Sequence, residues 1–105
     1  MVYLLKMKVK NGSYYKIGYT NNLAKRLNYY GTHNPCAECI ETIQTYKKTK
    51  HQLETEIHKE IIEQGFKFAD AKINDKKTEW FFVPEGIEIT LKQFKCCKNR
   101  KVKEV

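Results

Sequence analysis

Hydrophobic and polar positions first alternate with a period of two. Val2-Tyr3-Leu4-Leu5-Lys6-Met7-Lys8-Val9 is rich in strand formers and alternates after Leu5, and Ser13-Tyr14-Tyr15-Lys16-Ile17-Gly18-Tyr19 is a second such run. Asn11-Gly12 between them offers the positive φ angles of a tight hairpin turn. The period then lengthens. Leu23, Leu27 and Tyr30 fall at i, i+4 and i+7, predicting a helix that Thr20, Asn21 or Asn22 caps and Gly31 ends. His33-Asn34-Pro35 reads as a loop, and Ile40 to Tyr46 as a third strand with imperfect alternation. From about Lys50 to Gln64 the spacing of Leu53, Ile57 and Ile61 predicts a second helix, with Gly65 as its stop.

The polar, lysine-rich stretch from Phe66 to Lys77 reads as a mobile loop, and Thr78-Glu79-Trp80-Phe81-Phe82-Val83 is apolar and aromatic before Pro84. Ile87, Leu91 and Phe94 then suggest a last amphipathic helix that frays into a basic tail. The order β-β-α-β-α-(β)-α predicts an α/β (α+β) domain. Helices flank a short, mainly antiparallel, three-stranded sheet. The expected division is a domain over residues 1–95 and a tail over 96–105, with no repeats and no linker.

Composition narrows the class. A chain of 105 residues with 41% hydrophobic and 30% charged positions suits one globular domain. No apolar run approaches the roughly 18 residues of a membrane helix, and Met-Val-Tyr-Leu-Leu-Lys lacks a signal-peptide layout, so an intracellular location without membrane contact is expected. Cys36, Cys39, Cys96 and Cys97 are then expected as reduced thiols. The rival reading is structural zinc, because Cys36-Ala37-Glu38-Cys39 has zinc-knuckle spacing and His33 lies just upstream.

Charge points to a partner class. Lys and Arg number 20 against 12 Asp and Glu, a net charge of +8 that favours polyanions, chiefly nucleic acid. Lys92, Lys95, Lys98, Arg100, Lys101 and Lys103 crowd the C-terminal end, as a phosphate-contacting tail or a solvated one.

Glu54 is the first candidate for chemistry. At about 100° per residue from Leu53, Ile57 lies near 40° and Ile61 near 80°, and Glu54 near 100° falls inside that apolar arc. A carboxylate there must be paired, protonated or bound to a cation. Either it pairs with a lysine at the rim of the core or it serves a site. His58, near 140°, edges the same face as a packing residue or a proton-transfer group. On the first helix Arg26 flanks the sheet-facing side while Lys25 points away, so its planar fork either snorkels to solvent or meets a phosphate. Along the second strand Tyr15, Ile17 and Tyr19 share one face, and Tyr14, Lys16 and Gly18 the other. Gly18 removes a side chain where backbone or ligand can approach.

These motifs together resemble the GIY-YIG endonuclease superfamily, in particular its small single-domain branch from phage and large DNA virus reading frames. The matching segments are Val2-Tyr3-Leu4-Leu5, Tyr15-Lys16-Ile17-Gly18-Tyr19-Thr20, Asn22-Leu23-Ala24-Lys25-Arg26-Leu27, Leu53-Glu54-Thr55-Glu56-Ile57-His58 and Thr78-Glu79-Trp80-Phe81-Phe82. The resemblance implies a DNA endonuclease using one divalent metal, Mg²⁺ or Mn²⁺, held by Glu54. It implies further that Arg26 stabilises the scissile phosphate and that Tyr3 positions or deprotonates the attacking water. A phenol titrates near 10, so a base role needs a nearby cation, for which Lys16 is the candidate. The motif tyrosine of the second strand is displaced to Tyr15, leaving Tyr3 and Tyr15 as alternatives, with His58 one turn beyond Glu54. Two rivals remain: a non-catalytic nucleic-acid-binding module on the same scaffold, and a zinc-stabilised interaction protein using the four cysteines.

Overall fold

The computed structural model describes residues 1–33, 35–45, 49–68, 72–73, 76–77 and 80–105, with only the backbone described at His33 and at residues 72–73 and 76–77. The opening hairpin forms as its alternation predicts. Val2–Val9 (β1) and Gly12–Tyr19 (β2) pair antiparallel, from Val2 opposite Tyr19 to Val9 opposite Gly12. The turn falls on Lys10 and Asn11, one residue earlier than expected. Gly12 instead admits a neighbouring strand, because a Cβ there would stand 2.2 Å from the Val83 carbonyl oxygen.

Leu23–His33 forms α1. Of the three possible caps Asn22 is used, its Oδ1 accepting the Lys25 N–H at 3.1 Å. The helix runs through Gly31, since a glycine costs it only about 1 kcal/mol and Thr32 Oγ1 bonds back to the Asn28 carbonyl. Ala37–Ile43 (β3) pairs antiparallel with β1, starting earlier than the expected Ile40. The Cys36–Cys39 stretch is therefore mostly strand. Register shifts between Leu4, opposite Glu41, and Leu5, opposite Cys39, so Ile40 is the extra residue of a bulge and the source of the imperfect alternation. The expected end of this strand at Tyr46 lies outside the described residues.

Lys50–Glu63 is α2. Lys72–Ile73 (β4) and Lys76–Lys77 (β5) form a separate two-stranded ladder. Much of the loop expected over 66–77, and Thr78-Glu79 of the aromatic segment, fall outside the described residues. Trp80–Pro84 (β6) pairs with β2, and Val102–Glu104 (β7) pairs with β3. The main sheet thus has five antiparallel strands in the order β6-β2-β1-β3-β7, against the three expected.

The C-terminal third departs most from its sequence pattern. In place of a helix through Ile87, Leu91 and Phe94 there are two 3₁₀ turns, Leu91–Gln93 and Lys95–Cys97. Thr90 is extended and forms a capping box with Gln93, which starts a new turn in the middle of the expected helix. The residues expected to fray as a tail return to the sheet as β7, with Val102 opposite Ile43.

Two cores follow from alternation along β1. Val2 and Leu4 join Tyr15, Ile17, Phe81 and the buried side chains of α2 on one face, closed by Leu91, Phe94 and Cys97. Tyr3 and Leu5 join Tyr30, Leu23 and Leu27 of α1 on the other. Among the described residues no helix is long and apolar enough to cross a membrane.

Candidate active site

The described pairing of β6 along β2 ends with Trp80 opposite Lys16, whereas β2 continues to Tyr19. At this end a cleft of about 560 Å³ opens over Gly18, lined by Tyr3 of β1, Lys16 and Tyr19 of β2, Arg26 of α1, and His51 and Glu54 of α2. Four elements separate in sequence therefore supply one polar surface.

Tyr3 is 2% exposed and lies directly across the ladder from Gly18. Its ring meets Tyr30 edge-on at 6.4 Å between centroids. Burial foremost, then a hydrogen bond with Tyr30, push the phenol above its ordinary 10.0, with the Glu54 charge adding to the shift; the Arg26 charge pulls the other way and is outweighed. Tyr3 is therefore a neutral phenol at neutral pH. This reverses the expected depression by Lys16, whose ammonium instead sits 5.5 Å from the centre of the Tyr30 ring.

Glu54 is 8% exposed, on the buried side of α2 with Leu53, Ile57 and Ile61, where its helical angle puts it. Arg26 is exposed and faces the same cleft. Glu54 is a hard oxygen donor in a polar cleft. Among the described residues no group of three or more His, Cys, Asp or Glu side chains converges. A single carboxylate suits Mg²⁺ or Mn²⁺, ions that are held by one or two carboxylates and keep several waters, and does not make an all-protein cage.

Two expected site residues lie elsewhere. Tyr15 is 1% exposed on the opposite face, stacked on Phe81 at 6.0 Å, with its hydroxyl accepting the Ile89 N–H at 3.4 Å. Alternation, which separates it from Lys16 and Gly18, forces that placement. His58 does not line the cleft: its Nε2–H donates to the Ile17 carbonyl at 3.1 Å and its ring meets Phe68 edge-on at 5.2 Å. It steadies the strand end that carries Gly18.

The cysteines are not brought together. Cys39 packs with the Tyr3 and Leu5 cluster, whereas Cys96 and Cys97 belong to the main core across the sheet. Burial pushes the thiols of Cys39, Cys96 and Cys97 upward. The side chain of His33 lies outside the described residues.

His51, which lines the cleft, and Tyr30, which packs against its Tyr3, escaped the sequence reading. His51 stands three residues before Glu54 and so shares its side of the helix, a spacing that would have found it. Its ring meets Tyr19 edge-on at 5.5 Å. Tyr30, four residues after Arg26, counted only as an apolar position, yet it contacts both Tyr3 and Lys16.

A family model described as the T5orf172 domain matches residues 1–102, nearly the whole chain. The chain belongs to the T5orf172 domain family. The T5orf172 domain is phage-associated and related to GIY-YIG-like nucleases and DNA-binding modules. Its match takes in all the cleft residues and ends at Val102, the first residue of β7. No curated protein and no solved structure matches the chain significantly.

Proposed function

We propose that this T5orf172 chain is a metal-dependent DNA endonuclease that hydrolyses a phosphodiester bond in the cleft. The observation that supports this most is the meeting of Tyr3, Arg26 and Glu54, from β1, α1 and α2, in one polar cleft. The net charge of +8 and the kinship of the family with nucleases and DNA-binding modules support DNA as the partner.

Glu54 would hold Mg²⁺ or Mn²⁺, which when bound supplies charge stabilisation at a phosphoryl oxygen and at the leaving oxygen. Arg26 presents two parallel N–H groups that match two phosphate oxygens, and its charge is in place before the phosphoryl group gains negative charge. Tyr3, held neutral with its one O–H proton engaged by Tyr30, offers its oxygen as an acceptor that would orient the water; it does not deprotonate it. In hydrolysis the water oxygen bonds to phosphorus, the bond to one sugar oxygen breaks, and the water proton needs an acceptor. His51 is the imidazole that lines the cleft, and an unprotonated ring nitrogen can take that proton. Lys16, over the Tyr30 ring, adds positive field on the Tyr3 side.

The test is nicking of supercoiled plasmid at low salt by the wild type and by Glu54→Gln, each with Mg²⁺ and with EDTA. Metal-dependent nicking that the variant lacks is the expected result. If neither protein cuts plasmid, branched or single-stranded DNA under any metal condition while both bind DNA equally, the chain is a DNA-binding module without catalysis.

A further inference from the structure

A second cleft of about 440 Å³ adjoins the first and shares Tyr19 and Arg26 with it. Its walls are the start of α1 and the start of α2. Lys25, Arg26 and Tyr29 line one side at spacings that place them on one stripe of α1, and Lys50, the first residue of α2, lines the other. The Lys50 ammonium donates a hydrogen bond to Asn21 Oδ1, which fixes it at this wall. Three cations thus line the cleft, and among the described residues no acidic side chain does.

Tyr29 is the unexpected member. It is 52% exposed although it is a large ring, and it meets Tyr30 edge-on at 5.6 Å. Cations alone would suit any phosphate backbone. A ring among them suits a strand whose bases are free to stack, because paired bases are turned inward and their faces are covered by neighbours.

We propose that this second cleft binds an unpaired stretch of DNA flanking the phosphodiester at Arg26, with a base stacked on Tyr29 and the neighbouring phosphates held by Lys25 and Lys50. The proposal names the substrate class of the cleft described above and rests on that reading. A flap or fork would be preferred to an intact duplex.

The test is binding of fluorescein-labelled DNA, followed by anisotropy in EDTA at fixed low salt, so that no cutting intervenes. The probes are a blunt duplex, the same duplex with an unpaired single-stranded flank, and the flank alone. The flanked duplex should bind about tenfold more tightly than the blunt one, the effect of one stacked base. Tyr29→Ala should abolish that preference while Tyr29→Phe keeps it, and Lys25→Gln and Lys50→Gln should weaken all three probes with a shallower salt dependence. Equal affinity for blunt and flanked duplexes, or a Tyr29→Ala protein that keeps the preference, would overturn the proposal. Plasmid nicking scored separately distinguishes the two readings: nicking without a flank preference removes only the second cleft, and a flank preference without nicking removes only catalysis.

Discussion

The ring of Tyr3 occupies the space that a side chain at Gly18 would need. A Cβ on Gly18 would stand 2.4 Å from the Tyr3 hydroxyl oxygen and 2.6 Å from the ring carbon that bears it. The two residues are direct partners across β1 and β2, so neither strand can slide to relieve the clash without breaking register. The glycine is what lets a large phenol lie flat over the sheet at the cleft.

Gly18→Ala should therefore destabilise by about 1–3 kcal/mol, the usual cost of overpacking, and should lower cutting by displacing Tyr3. In a Tyr3→Leu background, where the side chain ends short of this contact, the same alanine should cost much less. A double-mutant cycle on denaturant midpoints reads this coupling; additive effects would show that Tyr3 and Gly18 do not constrain each other.

Tyr3 also predicts alkaline behaviour. Burial first, and its bond with Tyr30 second, raise the folded phenol above 10.0, so the unfolded chain ionises first as pH rises. Its share of stability is complete below about pH 10 and is lost as pH climbs from there toward the higher folded value. Stability of the metal-free protein in EDTA should fall more steeply above pH 10 in the wild type than in Tyr3→Phe. Parallel curves would mean that Tyr3 titrates as freely as an exposed phenol.

The parts of this molecule that local periodicity governs were legible before the structure. Alternation puts Tyr15 on the face opposite Lys16 and Gly18, and helical angle puts Glu54 among Leu53, Ile57 and Ile61; both hold because strand and helix fix side-chain direction over a few residues. The same alternation excludes Tyr15, which a motif read by order alone admits as a site residue. The C-terminal third was illegible for a different reason. Leu91 and Phe94 are both buried, as a helix would bury them, but Thr90 caps a new turn and Ile43 supplies a distant strand partner for Val102. Such pairings depend on chain closure, which no local window contains. Cys36 and Cys39 show the same limit of local spacing, which suits a metal knuckle, while pairing with β1 takes Ala37 to Cys39 into a strand.

Arg26 should not be replaceable by lysine. Both carry one charge, but only the guanidinium offers a rigid fork to two phosphate oxygens. Arg26→Lys is expected to bind DNA in EDTA within about threefold of wild type, since most affinity comes from net charge, while cutting falls by about 10² or more, the scale of losing one preorganised donor. Equal losses of binding and cutting would make Arg26 a general phosphate contact with no special part in the reaction.

Glu60 governs how the C-terminal segment is held on α2. Its two carboxylate oxygens accept the backbone N–H of Lys95 at 2.7 Å and of Cys96 at 3.1 Å, capping the second 3₁₀ turn beside the buried Cys97. Burial alone would raise this carboxyl; the bonds from Cys96 and Lys95, with the Lys95 charge, outweigh it and hold the group below its ordinary 4.5. The folded chain therefore stays charged where the unfolded chain begins to take up a proton. That stability is present above about pH 4.5 and is lost as pH falls through the lower folded value. Glu60→Ala should cost about 1–3 kcal/mol at neutral pH, the scale of hydrogen bonds to a charged group, and the gap from wild type should narrow as the medium is acidified below pH 4. Thermal unfolding of both proteins across that range decides it, and a gap constant with pH would place the stabilisation in packing of the side chain, with no part for its charge.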